Sequence, residues 1–327
     1  MFKCGDEMKK WWIYQKERFP LSQYVPMIVA FAVSGISYTY RLSYLDSRMT
    51  YSLYIQEEIG EGGTGFFNFY QHSPVVIGYL IAIITTLIWF MLLRIADEHK
   101  DYEEDKLYRP YRAVPRGLIT LKELKYLGIL LIVIQVGLTA WWHETAFYAL
   151  MMAYVWFGLM SVEFGVADWL KKQHTLYLLS HMAMMLFINV YVTSLAWGNV
   201  GFSRRLIPYL LVGYAAGLVL EVGRKIRAKE EEENGVDTYT AVWGVKKAVI
   251  VWLICVGLSL VVTAVSAAMI GFGQVVLAIF ILLYFTALYF SMRFIKVSTK
   301  KNAKFFKIFP AVWLLLSYMV LGILSWL

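Results

Sequence analysis

Charged residues and cysteine are scarce in this chain. Asp, Glu, Lys and Arg make up 17% of its 327 residues, and 59% of the residues are hydrophobic, with a mean hydropathy of +0.57. Soluble domains carry about 25% charged residues, so this composition excludes an ordinary soluble protein and predicts an integral membrane protein. The two cysteines, Cys4 and Cys255, lie in a polar and an apolar segment, and the five histidines show no spacing typical of zinc sites.

Long apolar runs fill most of the chain. A membrane-spanning helix needs roughly 20 apolar residues. Nine such runs occur, at 22–41, 74–95, 123–141, 144–163, 174–197, 205–223, 248–270, 273–295 and 305–326. We therefore expect an all-α bundle of about nine transmembrane helices that forms one domain over residues 1–327. The segment before the first run is polar and does not resemble a cleavable signal, so that run is expected to remain as an anchor.

Lys and Arg gather on one side of the predicted membrane. Of the 31 basic residues, 24 lie in the N-terminal segment and in the loops after the second, fourth, sixth and eighth runs. The opposite side holds four, namely Arg41, Arg48, Arg204 and Arg205. Because positive loops face the cytoplasm, we predict a cytoplasmic N-terminus and cytoplasmic loops after the second and sixth runs. This asymmetry explains the net charge of +8 without a nucleic-acid partner.

The second apolar run ends in a dense acidic segment, ADEHKDYEEDK. Asp97, Asp101 and Asp105 are spaced four residues apart, which places them on one face if the helix continues. Like charges on one face are destabilising unless a cation neutralises them. Mg²⁺ suits such a cluster, since one or two carboxylates plus substrate phosphates usually hold it. The alternative is a solvated helix end whose acids pair with nearby lysines such as Lys100.

Basic residues accompany the acids. The segment RPYRAVPRGLIT follows directly, and arginine forks bind phosphate through two hydrogen bonds. The sixth apolar run ends in LEVGRKIRAKEEEENG on the same predicted side, and there Glu221, Arg224 and Lys225 share a helical face. An acidic residue at the end of an apolar helix is a functional candidate. The combination predicts a site for a metal and a phosphorylated substrate.

These motifs resemble those of the UbiA superfamily of intramembrane prenyltransferases. That family has nine transmembrane helices, the motif NDxxDxxxD after the second helix, and a second Asp-rich motif after the sixth. In DEHKDYEED the family's Asn position falls on Asp97, the next Asp on Glu98, and the later ones on Asp101 and Asp105. Sliding the motif back by one turn restores the family's spacing to the arginines but puts Leu93 at the Asn position, so the first register is preferred.

The second motif departs further from the family. Glu231 takes the place of the last aspartate, and Arg227, a base, occupies the earlier one. Glu221 or Glu230 is expected to supply the lost ligand. The resemblance therefore implies a metal set drawn from both motifs, made of Asp97, Glu98, Asp101, Asp105, Glu221, Glu230 and Glu231.

The resemblance implies that Mg²⁺ binds the diphosphate of a prenyl donor, which leaves to give an allylic cation. The basic residues expected to bind the diphosphate are Arg94, Lys100, Arg109, Arg116, Lys171, Lys172, Arg224, Lys225 and Arg227. For Lys171 and Lys172, simple anchoring at the membrane surface is an equal alternative. A hydrophobic acceptor, aromatic or lipid-like, is expected to capture the cation within the bilayer.

Two other functions remain open at this stage. Some relatives cyclise the cation without an acceptor, so a terpene cyclase is the first alternative. A divalent-cation transporter is the second, although the acids cluster at one membrane face and not at the midplane. The expected catalytic residues are Asp97, Asp101, Asp105 and His181. A histidine inside a span is usually an interhelical hydrogen-bonding group, and the alternative is that His181 orients an acceptor or takes its proton.

The charge asymmetry gives a testable prediction. Lys106→Cys and Lys229→Cys, each in a background lacking Cys4 and Cys255, should resist an impermeant thiol reagent applied to intact cells. Both should react once the membrane is opened, and Mg²⁺ with pyrophosphate should slow that reaction. Labelling of either cysteine in intact cells would contradict the predicted orientation. Equal rates with and without pyrophosphate would separate these loops from diphosphate binding.

Overall fold

The computed structural model describes residues 4–54, 75–233 and 237–327. Every regular element within these ranges is helical. The α-helices are α1 (Cys4–Arg18), α2 (Leu21–Tyr54), α3 (Val75–Lys100), α4 (Tyr102–Tyr108), α5 (Leu121–Trp142), α6 (Glu144–Ser161), α7 (Ala167–Lys172), α8 (His174–Val200), α9 (Ile207–Arg224), α10 (Tyr239–Trp243), α11 (Val245–Met269), α12 (Gly273–Lys296) and α13 (Lys300–Leu324). Short 3₁₀ turns lie at Glu163–Gly165, Arg204–Leu206 and Lys229–Glu231.

The predicted fold class, an all-α polytopic bundle, is confirmed. Among the described residues, eight helices are long and apolar enough to cross a membrane, namely α2, α3, α5, α8, α9, α11, α12 and α13. The remaining predicted span, 144–163, is present as the 18-residue helix α6. Helix α2 continues to Tyr54, well beyond its predicted end at residue 41.

The long helices pack into a closed bundle. Helix α2 contacts α3, α8 and α13, and α9 contacts α8, α11 and α13. Helix α3 continues the contacts to α5, which packs against α6, and α6 returns to α8. The amino- and carboxyl-terminal spans therefore lie side by side. Exposed apolar side chains such as Val133 on α5 and Leu282 on α12 form the outer surface that suits lipid.

Large aromatic side chains fill the interior, and the indole N–H groups of Trp252 and Trp313 donate hydrogen bonds to neighbouring helices. Trp252 is fully buried, and its Nε1 donates to the carbonyl of Val219 on α9 at 3.0 Å. Trp313 on α13 donates to Ser259 Oγ on α11 at 2.9 Å. A buried indole N–H without a partner costs free energy, so these bonds fix how the helices are rotated against one another.

Several long helices, among them α3, α6 and α9, end at the same end of the bundle, here called the site face. Helix α3 ends at Lys100, α6 at Ser161 and α9 at Arg224. The amphipathic helix α1 lies on this face, where Lys10 Nζ donates to Glu123 Oε1 of α5 at 2.5 Å. Glu123 also closes a capping box with Thr120 at the start of α5. The site face is thus built from helix ends and their connecting loops.

Close packing of α9 on α13 predicts the effect of adding one methyl group. A Cβ at Gly223 would lie 2.5 Å from Pro310 Cγ and 3.0 Å from the carbonyl oxygen of Phe306. Because the proline ring and the backbone cannot move aside, Gly223→Ala should destabilise the fold by about 1–3 kcal/mol. Thermal unfolding of the purified protein in detergent measures this. Gly137→Ala on the open surface of α5 is the matched control, since no atom lies within 4 Å of its Cβ. Equal stability of the two variants would contradict the packing argument.

Candidate functional site

The last turn of α3 places Asp97 on the site face. Its side chain is 57% exposed, and its Oδ2 lies 3.6 Å from Arg94 Nη1 one turn earlier. Asp97 also interacts electrostatically with Asp101 and with Arg224 at the end of α9. The ends of α3 and α9, which carry the two predicted motifs, are therefore near enough for these charges to interact. Asp101, half-buried, lies in the break between α3 and α4.

Glu98 and Asp105 have a different environment from Asp97. Glu98 is buried, and its Oε1 accepts from Arg18 Nε of α1 at 2.5 Å. Asp105 is 2% exposed and accepts from Arg112 at 2.5 Å and from Arg109 at 3.1 Å.

The acidic segment is therefore divided into two environments. The backbone hydrogen bonds from Asp101 N to Asp97 O and from Asp105 N to Asp101 O do continue through the break. Asp105 nevertheless differs from Asp97 in its surroundings, because Arg18 of α1 and the loop arginines enclose it. A metal role for Glu98 and Asp105 stays a prediction and requires these ion pairs to open.

The loop arginines mainly bind protein carboxylates. Arg109 Nε lies 3.3 Å from Glu233 Oε2, which joins the loops after α4 and α9. Arg116 donates to Glu17 Oε1 of α1 and to the carbonyl of Tyr111, both at 2.8 Å. Arg116 thus fastens α1 to the loop in this structure, and its predicted contact with a diphosphate stays untested.

At the end of α9 the predicted shared face is present. Glu221 pairs with Arg224, and its Oε1 lies 3.2 Å from Lys225 Nζ. The Arg224 side chain is 61% exposed, so its guanidinium is accessible to a ligand. Lys225 Nζ also lies 5.4 Å from the ring centroid of Tyr239. Arg224 is therefore an accessible cation at the end of α9.

The rest of the second motif contacts α13. Glu231 Oε1 accepts from Lys307 Nζ at 2.7 Å, and Arg227 Nη1 lies 3.3 Å from Glu233 Oε1. Glu230 is exposed. Lys171 and Lys172 are exposed at the end of α7. The structure therefore brings Glu221, Arg224 and Lys225 to the first motif and places Glu230 and Glu231 beside the start of α13.

Sequence analysis missed a cluster beside Lys100. Its Nζ pairs with the buried Glu163, and it contacts Tyr177 and His181 of α8. Glu163 follows the apolar helix α6, so the reasoning that selected Glu221 applies to it equally. Of the predicted residues, Lys100 and His181 belong to this cluster.

Burial and nearby carboxylates raise the pKa values of Glu104 and Tyr239, which lie outside the membrane-spanning helices. Burial, and then the charge of Asp101, raises the pKa of Glu104 above its usual range. Burial, and then the charge of Glu221, raises the pKa of the Tyr239 phenol. Part of each increase comes from nearby carboxylates that disfavour a further anion. A negative potential of this kind favours a bound divalent cation.

The accessible carboxylates of Asp97 and Asp101 are too few to bind a metal ion by themselves, but they suit Mg²⁺ that is also bound by substrate phosphates. Among the described residues, no three Asp, Glu, His or Cys side chains converge to form a complete metal cage. Asp97 and Asp101 leave two carboxylates at the break after α3, and Mg²⁺ is commonly held by one or two carboxylates together with substrate phosphates. The chemistry of this donor set therefore fits Mg²⁺ bound with a diphosphate.

Comparison with known proteins supports the same fold. A structure from work on digeranylgeranylglyceryl phosphate synthase aligns with a TM-score of 0.56 and 15% identity, covering 96% of this chain and 99% of that one. The apo structure of a UbiA homologue from Aeropyrum pernix K1 aligns with a TM-score of 0.57 and 12% identity, covering 89% and 97%. No curated protein matches the chain in sequence. The model of the UbiA prenyltransferase family matches residues 64–316, and the chain belongs to this family.

Proposed function

We propose that the chain is a Mg²⁺-dependent intramembrane prenyltransferase that ionises a prenyl diphosphate and transfers the prenyl group to a hydrophobic acceptor. Membership of the UbiA family supports prenyl transfer in general. The observation that supports the proposal is the electrostatic interaction between Asp97 at the end of α3 and Arg224 at the end of α9. The proposal assigns this carboxylate to the metal and this exposed guanidinium to the phosphate.

Each side chain has a separate part in this proposal. Asp97 and Asp101 would hold Mg²⁺, which when bound supplies Lewis-acid stabilisation of the diphosphate leaving group. Arg224 and Lys225 bind the diphosphate oxygens and neutralise the charge that develops as the donor's C–O bond breaks. Glu221 holds both bases in place through its ion pairs. The proposed acceptor is aromatic or lipid-like, because it has to reach a site at the ends of apolar helices.

Product analysis tests the reaction directly. The purified protein would be incubated with prenyl diphosphates of several chain lengths, with and without a phenolic acid or a long-chain monoalkyl glycerol, and the products identified by mass spectrometry. A prenylated acceptor that disappears with EDTA supports the proposal. A cyclic hydrocarbon or alcohol formed without an acceptor would identify a terpene cyclase instead. Release of diphosphate unaffected by EDTA would contradict the Mg²⁺ requirement.

Asp101 should be needed for turnover but not for folding. Asp101→Asn removes a proposed metal ligand and should lower kcat about 10²–10³-fold, equivalent to about 2.7–4 kcal/mol in the barrier. The melting temperature should stay near that of the unmodified protein, because Asp101 is not enclosed by arginines. Glu103→Gln, an exposed acid two residues away, is the control. Unchanged activity of Asp101→Asn would exclude this residue as a metal ligand.

Asp105 should show the opposite pattern. Asp105→Asn leaves Arg109 and Arg112 without their carboxylate charge, and breaking a buried pair costs about 3–5 kcal/mol. We expect a clear fall in the melting temperature, measured with the protein in detergent. Protein that still folds should retain Mg²⁺-dependent turnover. A fully stable Asp105→Asn protein without activity would instead place Asp105 among the metal ligands.

A further inference from the structure

A polar cluster around the buried Glu163 joins the ends of α3, α6 and α8. Glu163 is 5% exposed and lies two residues after the end of α6. Its φ is 51° and that of Phe164 is 55°, in the left-handed region that residues other than glycine rarely adopt. Backbone strain of this kind tends to be found at functional sites. Here it directs the Glu163 carboxylate toward Lys100, Tyr177 and His181.

The hydrogen bonds assign the protonation state of His181. Its Nδ1 lies 2.9 Å from the carbonyl oxygen of Tyr177, which only accepts, so Nδ1 carries a proton. Its Nε2 lies 3.3 Å from Lys100 Nζ, and an ammonium only donates. These contacts suit a neutral His181 whose Nε2 lone pair faces Lys100, although Glu163 Oε2 lies at the same distance of 3.3 Å from Nε2. The other Lys100 contacts go to the Tyr177 hydroxyl and to Glu163 Oε1.

The two carboxylate oxygens of Glu163 differ in their hydrogen bonding. Its Oε1 accepts from Lys100 and also from the Tyr177 hydroxyl at 3.3 Å. Its Oε2 is buried without a hydrogen-bond partner among the described residues, yet lies 3.3 Å from His181 Nε2. A proton placed on Nε2 would form an ion pair with Glu163 across this distance. A buried carboxylate oxygen without a partner costs free energy, and this cost favours protonation of His181 beside Glu163.

The cluster lies beside the proposed diphosphate site. Tyr177 interacts electrostatically with Asp101 and Asp97, and His181 interacts with Glu221. Lys100 follows Asp97 by three residues at the end of α3. A bound diphosphate offers Lys100 another anionic partner, and movement of the ammonium toward it frees the Nε2 lone pair. Donor binding would in this way prepare the base.

We propose that His181 takes the proton that the acceptor loses during transfer, and that Glu163 positions it and stabilises the resulting imidazolium. This rests on the proposed prenyl transfer. The C1–O bond of the donor breaks, and its electron pair leaves with the diphosphate. C1 bonds to the nucleophilic atom of the acceptor, whose proton moves to His181 Nε2. The acceptor class is thus a molecule that carries a proton on its nucleophilic atom, such as an alcohol or a phenol.

Two His181 variants test the base. His181→Ala should lower kcat for acceptor prenylation about 100-fold or more, the usual contribution of a general base. The dissociation constant of pyrophosphate with Mg²⁺ should change less than about twofold, and added imidazole should restore part of the turnover. His181→Gln, which keeps a polar side chain, should show the same loss in kcat. His174→Ala, at the start of α8, is the matched control.

Glu163→Gln tests the positioning role. It should lower kcat about tenfold, because general-base efficiency depends on how the imidazole is held. It should also weaken the imidazole rescue when combined with His181→Ala. Asp168→Asn, an exposed acid of the same connection, is the control.

The outcomes separate this inference from the proposed function. Parallel loss of pyrophosphate binding and of turnover would assign the cluster to the diphosphate site and overturn the inference. Loss of turnover without imidazole rescue, together with a lower melting temperature, would make the cluster a structural contact between α3, α6 and α8. Unchanged turnover in all the variants would overturn it as well. If the unmodified protein yields no prenylated acceptor, the proposed function itself fails, and the variants are not needed to show it.

Discussion

The site face depends on the cost of holding charged groups at the ends of apolar helices. Burying an ionised carboxylate without a partner costs several kcal/mol, so each deep acid has to be paired. Glu98 has Arg18, Asp105 has Arg109 and Arg112, and Glu163 has Lys100. Most of the loops at this end of the bundle are held in place by such pairs.

This constraint divides the acidic residues between two tasks. Those enclosed by bases join α1 and the loop after α4 to the bundle, whereas Asp97 stays accessible. The same division occurs after α9. There Glu231 pairs with Lys307, whereas Glu221 pairs with the exposed Arg224. The ion pairs of the enclosed acids hold the loops rigidly. The groups outside these pairs, such as Asp97 and Arg224, remain accessible to a ligand. A preorganised site of this kind loses little free energy to reorganisation when charge develops.

In the proposed reaction, donor and acceptor chemistry would meet at the end of α3. Asp97 and Asp101 belong to the proposed metal and diphosphate site, and Lys100 between them reaches the cluster around His181. Under that proposal a single helix end would carry groups for both halves of the transfer. Lys100 would then couple donor binding to proton removal, because its ammonium would contact both the diphosphate and His181.

The sequence alone determined the membrane-spanning helices, except for the extension of α2 to Tyr54, because apolar runs of about 20 residues are local properties. The same holds for the acidic end of α3 and for the face shared by Glu221, Arg224 and Lys225, which needs only the helical period. Only the tertiary structure decided which acids are enclosed. Arg18 lies 80 residues before Glu98 in the chain, and Glu163 lies 63 residues after Lys100. Such pairs depend on how separate helices pack, and residue spacing along the chain carries no information about that.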